Sequence, residues 1–130
     1  MSVRDELRNL RMEEQKREAE YLRKREHIES LRQAAYEQAV RTLNSLSELG
    51  TVKQENNELF TVTVGLIVYK IRVTVTDYEQ WEDRRPVGHK AVAWFDVSQV
   101  LPVRKCFPRI EYQHFDRTFA RMLYELGCRY

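Results

Sequence analysis

Histidine and cysteine, the residues that most often carry chemistry, are few and scattered among the 130 residues of this chain. His114 lies near two carboxylates, Glu111 and Asp116, and a base beside an orienting carboxylate is the arrangement of general acid–base catalysis. The same position also suits a helix cap or a loop-to-backbone hydrogen bond. No Gly-x-Ser-x-Gly elbow and no glycine-rich phosphate loop accompanies it. We therefore predict no catalytic residue and no enzymatic activity.

Soft metal ligands are equally sparse. Cys106, His114 and Cys128 are candidates, but zinc sites usually take two ligands from one turn, and no such pair occurs. We predict no metal and no cofactor, with Cys106 packed as a small apolar side chain. Two cysteines do not make a disulfide framework, and a start that is charged from Arg4 onwards is not a secretory signal, so we expect a reducing cytoplasm. The longest apolar-rich stretch, residues 59–69, is about half of a bilayer span, which predicts no membrane partner.

The amino end carries the strongest organisational signal. Residues 1–49 contain neither glycine nor proline, and 15 of the first 27 are charged, eight basic and seven acidic. This composition predicts one long helix that ends at Gly50 in a left-handed cap. Residues 1–27, which we call the arm, have little to bury, whereas an apolar stripe from Ile28 to Leu46 predicts a helix packed on a core. We expect two parts: a charged helical arm, 1–27, and a single α+β domain, 28–130.

The length of this helix raises the question of what the arm contacts. A helix of 49 residues would reach ~70 Å, far beyond a ball ~30 Å across that the other residues could form. The arm must project, fold back after a break near residues 23–27, or pair with a partner. A heptad that starts at Val3, Leu7 and Leu10 has eight apolar positions in fourteen, with its failures at 14–24 and 38–45. This broken seam leaves a structural homodimer through the arm as one alternative.

Beyond residue 50 the apolar period changes to two, which is the period of a strand. We predict strands at 59–64, 66–76 and 90–97, with Gly65 as a tight turn or a bulge. The three prolines make residues 86–108 the region least suited to a long regular element. A short fourth strand or a helical turn fits within 98–112.

A second helix is predicted from Phe115 to Leu126, with Asp116 in its first turn, Gly127 as its stop and Arg129 past its end. The predicted fold is therefore α+β. It has a long N-terminal helix, a three- to four-stranded antiparallel sheet, and a C-terminal helix packed on the same face as the second half of the first helix.

The segment Asp77–His89 is predicted to be a loop of about a dozen residues, a length that is often functional. It contains tryptophan and arginine, the side chains most enriched at interface hot spots, although Trp81 could instead pack on the sheet rim while the charges pair locally. The arm and this loop together form the predicted partner-binding surface. Its residues are Arg8, Arg11, Lys16, Arg17, Tyr21, Arg23, Lys24, Arg25, Tyr78, Trp81, Arg84 and Arg85.

Nucleic-acid binding is the alternative reading of the basic residues. A formal net charge of +2 is too balanced for binding through the overall field, so a local patch would be required. The candidate phosphate-binding patch consists of Lys70, Arg72, Arg104, Lys105 and Arg109. An affinity that falls steeply with salt would be its signature.

Two resemblances bear on function. The order helix, three strands, helix is similar to that of the double-stranded-RNA-binding domain, and Gly88-His89-Lys90 resembles that family's Gly-Pro-x-His loop without its proline. The resemblance implies an RNA-binding module. In size, charge and lack of motifs, the chain also resembles the small proteins with which phages and other mobile elements block host nucleases and signalling enzymes.

These observations favour a non-enzymatic macromolecular binding protein, of the kind made as an inhibitor by phages or mobile elements. The glutamates of the arm can contact a basic groove, and its arginines can contact the phosphates of a nucleic acid. We therefore expect a protein or ribonucleoprotein partner that processes nucleic acid. Steric occupation and electrostatic mimicry both remain open as mechanisms. An RNA- or DNA-binding module and a structural homodimer are the alternatives.

Overall fold

The computed structural model describes residues 2–127. Met1 and residues 128–130 lie outside the described part, and so do the predicted roles of Cys128 and Arg129. The described elements, in chain order, are α1 (Val3–Ser45), a 3₁₀ turn (Leu46–Glu48), β1 (Thr51–Gln54), β2 (Leu59–Val64), β3 (Ile67–Glu82), β4 (Arg85–Leu101), β5 (Lys105–Cys106), β6 (Ile110–Glu111), a second 3₁₀ turn (Tyr112–His114) and α2 (Phe115–Glu125). The α+β class is confirmed, but the described sheet has six strands rather than three or four.

Helix α1 runs without a break for 43 residues, which corresponds to ~64 Å. It begins where the Ser2 hydroxyl accepts a hydrogen bond from the Asp5 amide at 3.3 Å. Asp5 and Glu6 then place negative charge at the positive end of the helix dipole. Because the helix is continuous through residues 23–27, the predicted alternative of an arm that folds back after a break there is wrong.

Gly50 plays a different part from the predicted one. Its φ does not lie in the left-handed region, so the predicted cap is wrong, and α1 has already ended at Ser45. A Cβ atom at Gly50 would lie 1.9 Å from the carbonyl oxygen of Thr63. Strand β1 begins at the next residue and pairs with β2, so only glycine allows the two backbones to approach this closely.

The described strands form one antiparallel sheet in the order β1-β2-β3-β4-β5, with β6 also paired to β4. Strands β2 and β3 are joined by Gly65-Leu66, and Val64 pairs with Ile67 across the turn. Gly65 has a φ of +61°, the left-handed value that a two-residue hairpin turn of type II′ requires at its first central position. Of the two predicted alternatives for Gly65, the tight turn is therefore correct.

Strands β3 and β4 form a hairpin of unusual length, 16 and 17 residues. The segment Asp77–His89, predicted to be a loop, is the far half of this hairpin, closed by the two-residue turn Asp83-Arg84. The loop prediction is wrong because backbone pairing continues past the apolar part of the strands. In the distal part both faces are exposed, so the side chains do not alternate between apolar and polar as they do in a half-buried strand.

The prediction that residues 86–108 hold no long regular element is also wrong. Pro86 is the second residue of β4, one pair from the hairpin turn and beside a bulge at Gln80–Trp81. Strand ends and bulges are the places where a sheet tolerates proline. Val100 and Leu101, expected in a fourth strand or a helical turn, belong to β4, and the fourth-strand signal splits into the two-residue strands β5 and β6.

The core lies on one face of the sheet. Alternate residues of β2, β3 and β4 are buried on that face, as in Phe60, Ile71 and Val97. Helix α1 covers it with Ala39 and Leu43, both fully buried.

Helix α2 packs on the same face through an aromatic cluster, which confirms the predicted arrangement of the two helices. The ring centroids of Tyr69 and Phe119 are 5.1 Å apart, and those of Phe95 and Phe115 are 4.3 Å apart. The helix ends within one residue of the predicted position, and Gly127 follows it with a φ of +90°.

Candidate interaction surfaces

The arm is exposed along almost its whole described length. Every side chain from Val3 to His27 except Ala19 is exposed, including Leu10 (59%) and Tyr21 (65%). The predicted partner-binding residues of the arm all lie on this segment: Arg8, Arg11, Lys16, Arg17, Tyr21, Arg23, Lys24 and Arg25. Exposed apolar side chains on this scale are typical of an interaction site. The other alternative is a solvated helix that has no role.

The exposed apolar residues of the arm continue the core-facing side of α1. Steps of three and four residues, which stay on one side of a helix, lead from Leu10 and Tyr21 to Ile28 and on to the buried Ala39 and Leu43. The sheet covers this side between residues 35 and 46 and leaves it open in the arm. The arm is therefore a packing surface that no other segment of residues 2–127 covers.

The hairpin beyond the body is a second exposed surface. All residues of the segment Tyr78–Gly88, which we call the distal hairpin, are exposed, and it contains the predicted residues Tyr78, Trp81, Arg84 and Arg85. Trp81 is 61% exposed, so the alternative in which it packs on the sheet rim is wrong. Arg84 has a φ of 63°, a left-handed conformation that costs a non-glycine residue ~1 kcal/mol or more.

The arm and the distal hairpin leave the body beside a cluster of three charged or titratable side chains, which we call the junction cluster. The two carboxylate oxygens of Asp77 are both engaged: Oδ1 accepts from Nη1 of Arg32, and Oδ2 accepts from Nε2 of His89 at 2.8 Å. The hydrogen bond from His89, and then that from Arg32, holds the pKa of Asp77 below its ordinary value. The cluster ties α1, β3 and β4 together where the two exposed segments begin.

The junction cluster was missed from sequence, although one signal pointed to it. Asp77 lies on the same strand face as Val73 and Val75, which look toward the helices. A carboxylate at the apolar phase of a strand needs partners, because burying an unpaired charge is costly. This position predicts that Asp77 has a partner. It does not identify Arg32, which is 45 residues away in the chain.

The open face of the sheet carries three of the five residues of the predicted phosphate-binding patch, and each has an acidic neighbour. The Nζ atom of Lys70 lies 3.9 Å from Oε1 of Glu55, and Nη1 of Arg72 lies 3.2 Å from Oε2 of Glu58. These carboxylates offset the positive field on which phosphate binding depends.

Arg109 is engaged in the same way. It donates to both carboxylate oxygens of Asp96, at 3.0 and 3.2 Å, and this pairing raises the pKa of the guanidinium. A guanidinium fork that already holds a carboxylate has fewer donors to offer a phosphate.

Arg104 and Lys105 lie elsewhere, where the chain enters β5, of which Lys105 is the first residue. The ammonium of Lys105 is 5.1 Å from the centroid of the Phe107 ring. Both residues border a hollow of about 460 Å³ that Phe107, Met122 and Gln99 also line. The patch predicted from sequence is thus divided between two places.

Two of the candidate chemical residues, His114 and Cys106, belong to the described part of the chain. His114 is exposed at the start of α2 and makes no side-chain cap there. Cys106 is exposed on the two-residue strand β5, so its predicted packing as a small apolar residue is wrong. Among residues 2–127 no group of three or more histidine, cysteine or acidic side chains is arranged to hold a metal ion.

Comparison with family models, with curated proteins and with solved structures found no match for this chain. The similarity to the double-stranded-RNA-binding domain rested on a helix, three strands and a helix, whereas the described chain has six strands, and Gly88-His89-Lys90 lies within β4. Within the described residues, no helix is long and apolar enough to cross a membrane.

Proposed function

We propose that this protein is a non-enzymatic binding protein whose arm and distal hairpin contact a macromolecular partner. The observation that carries the proposal is the arm itself, a helical segment from Val3 to His27 that extends the core-facing side of α1 and that no other described segment covers. A helix that packs one apolar side into a groove is a common mode of protein recognition.

Charge and side-chain type narrow the class of partner. The arm carries eight basic and seven acidic residues, so a partner surface that itself mixes charges, or that binds nucleic acid, complements it best. The distal hairpin adds Trp81 and two arginines, the types that dominate binding energy at interfaces. We therefore propose a protein or ribonucleoprotein that processes nucleic acid, occupied or inhibited in a reducing cytoplasm.

Deletion of residues 1–24 tests the proposal. Since these side chains are exposed, the free energy of unfolding should change by no more than about 0.5 kcal/mol, while capture of the partner from the source organism by the tagged protein should be lost. A truncated chain that unfolds or aggregates would show that the arm belongs to the core, and the proposal would fail.

A point variant separates the two surfaces. Trp81→Ser removes the largest exposed side chain of the distal hairpin and should weaken capture without a change in unfolding temperature. Leu66→Ser, which alters an apolar residue 90% exposed in the turn between β2 and β3, at the opposite end of β3 from the distal hairpin, is the control and should capture as the native chain does.

Nuclease treatment of the captured material tests the alternative function, binding of nucleic acid. A partner that survives treatment is a protein bound directly. Material that disappears, with capture that falls steeply as salt rises, would identify nucleic acid as the ligand and replace this proposal with the nucleic-acid-binding module.

A further inference from the structure

We propose that the apolar side of the arm pairs with the arm of a second copy of this chain, in antiparallel orientation. The inference rests on the proposed use of the arm as a contact surface and names the occupant of one side of it. The side in question, which we call the seam, consists of Val3, Leu7, Leu10, Glu14, Arg17, Tyr21, Lys24 and Ile28. All of these residues are exposed except Ile28, which is half-buried where the body begins.

The seam is complementary to itself when one copy is reversed. A two-fold axis between residues 15 and 16 places each seam residue opposite another seam residue of the second copy. The four kinds of layer are Glu14 with Arg17, Leu10 with Tyr21, Leu7 with Lys24, and Val3 with Ile28. Each layer occurs twice by symmetry, so the charged layers lie together at the centre and apolar contacts flank them.

The charges that break the heptad therefore become the residues that select the register. In the reversed pair, Glu14 of each copy faces Arg17 of the other, which gives two ion pairs across the centre. Next to them, Leu10 packs on the ring of Tyr21, and Leu7 packs on the methylene stem of Lys24, whose ammonium reaches water.

Parallel pairing is disfavoured by the same residues. Two arms in parallel register place every seam residue opposite itself, so Glu14, Arg17 and Lys24 would each meet a like charge. Like charges brought together at an interface oppose association. Only the reversed orientation turns this repulsion into attraction.

Other antiparallel registers are also weaker. A shift of one heptad in one direction places Arg17 opposite Leu7 and Glu14 opposite Leu10, without an ion pair. The opposite shift pairs Glu14 with Lys24 but places Val3 opposite Ala35, which already packs against the core of its own chain. The positions beside the seam are mixed, because Arg11–Glu18 contacts attract whereas Glu13–Glu20 and Arg4–Arg25 contacts repel, and each occurs twice. The central ion pairs and the apolar layers therefore carry the choice of register.

The antiparallel pair leaves part of the proposed partner surface accessible. The two bodies stand at opposite ends of a central two-helix rod, each with its distal hairpin. Arg8, Lys16 and Arg23 lie on the side of the arm away from the seam, whereas Arg17, Tyr21 and Lys24 contact the second copy. A dimer would thus present two sets of outward arm residues and two hairpins to a further partner.

Charge exchange at the centre of the seam tests the proposal. Sedimentation equilibrium of the full-length chain should show a dimer at ~100 µM, and Glu14→Arg or Arg17→Glu alone should raise the dissociation constant at least about tenfold by opposing like charges. The double variant E14R/R17E restores opposite charges and should return the dissociation constant to within about threefold of the native value. Lys16→Glu, an equal charge reversal on the outward side, is the control and should leave the dimer intact.

The outcomes are distinct. A native chain that is monomeric at ~100 µM overturns the proposal, and so does a dimer that neither single exchange weakens or that the double variant fails to restore. Far-ultraviolet circular dichroism of each variant verifies that the helix is retained. If the chain is monomeric but its arm still captures a partner, only the proposed self-pairing of the arm is refuted. If the chain is a dimer that captures no other molecule, only the proposed function is refuted.

Discussion

Removing one aromatic side chain from each helix shows, through the loss of unfolding free energy, which helical segment packs in the core and which does not. Phe119 on α2 is 2% exposed, and its ring lies 5.1 Å from that of Tyr69 and 5.2 Å from that of Phe115. Phe119→Ala removes this packing and leaves a cavity under the helix, so we expect a loss of about 3–5 kcal/mol in the free energy of unfolding. Tyr21→Ala removes a ring that is 65% exposed and should cost no more than about 0.5 kcal/mol.

Both variants are best measured by urea and thermal unfolding at ~1 µM, where a weak self-association does not contribute. For a body of this size, the loss at Phe119 corresponds to a fall of at least ~12 °C in the unfolding temperature, against ~2–4 °C at most for Tyr21. Equal losses at the two positions would refute the reasoning, because the arm would then be packed against the body. A loss under ~1 kcal/mol for Phe119→Ala would show that α2 does not pack as described.

Three further perturbations address local features. Gly50→Ala forces a methyl group onto a carbonyl oxygen of the neighbouring strand, so a loss of about 1–3 kcal/mol is expected in urea unfolding. Arg84→Gly relieves a left-handed φ at the hairpin turn and should raise stability by up to ~1 kcal/mol, whereas Arg85→Gly, on the strand, should lower it; the reverse order would contradict the assigned turn. Because His89 lowers the pKa of Asp77, the stabilisation by this carboxylate is present above its unfolded-state pKa and fades as pH falls through the lower folded-state pKa. The difference in unfolding temperature between the native chain and Asp77→Asn should therefore shrink from pH 6 to pH 3, and a constant difference would argue against the carboxylate.

Local pattern was enough for part of the fold. The alternation through Phe60, Val62 and Val64 followed by Gly65 predicted β2 and its turn, since burial on one face and a left-handed turn are both local requirements. The far half of the long hairpin could not be predicted in this way. Its strands are held by backbone pairing through charged residues, and its turn uses Asp83-Arg84 where such turns usually carry asparagine or glycine.

Features that exist only between distant segments were out of reach. The close approach at Gly50 is a property of two paired strands, and the short strands β5 and β6 form because β4 offers them an edge. Cys106 is exposed because its partner in β4 is Ser98, on the face of the sheet opposite the buried Val97 and Gln99. By contrast, the exposure of most of the arm was predictable from composition, because 15 of its 27 residues are charged and such side chains are seldom buried without partners.

A distance along α1 tests the central claim most directly. Spin labels at Arg8→Cys and Asn44→Cys, in a chain with Cys106→Ser and Cys128→Ser and diluted with unlabelled protein, report the span between the arm and the body by pulsed electron paramagnetic resonance. A continuous projecting helix predicts a narrow distribution near ~54 Å. A distribution centred below ~40 Å would mean that the arm bends back onto the body, and the contact role proposed for it would be contradicted.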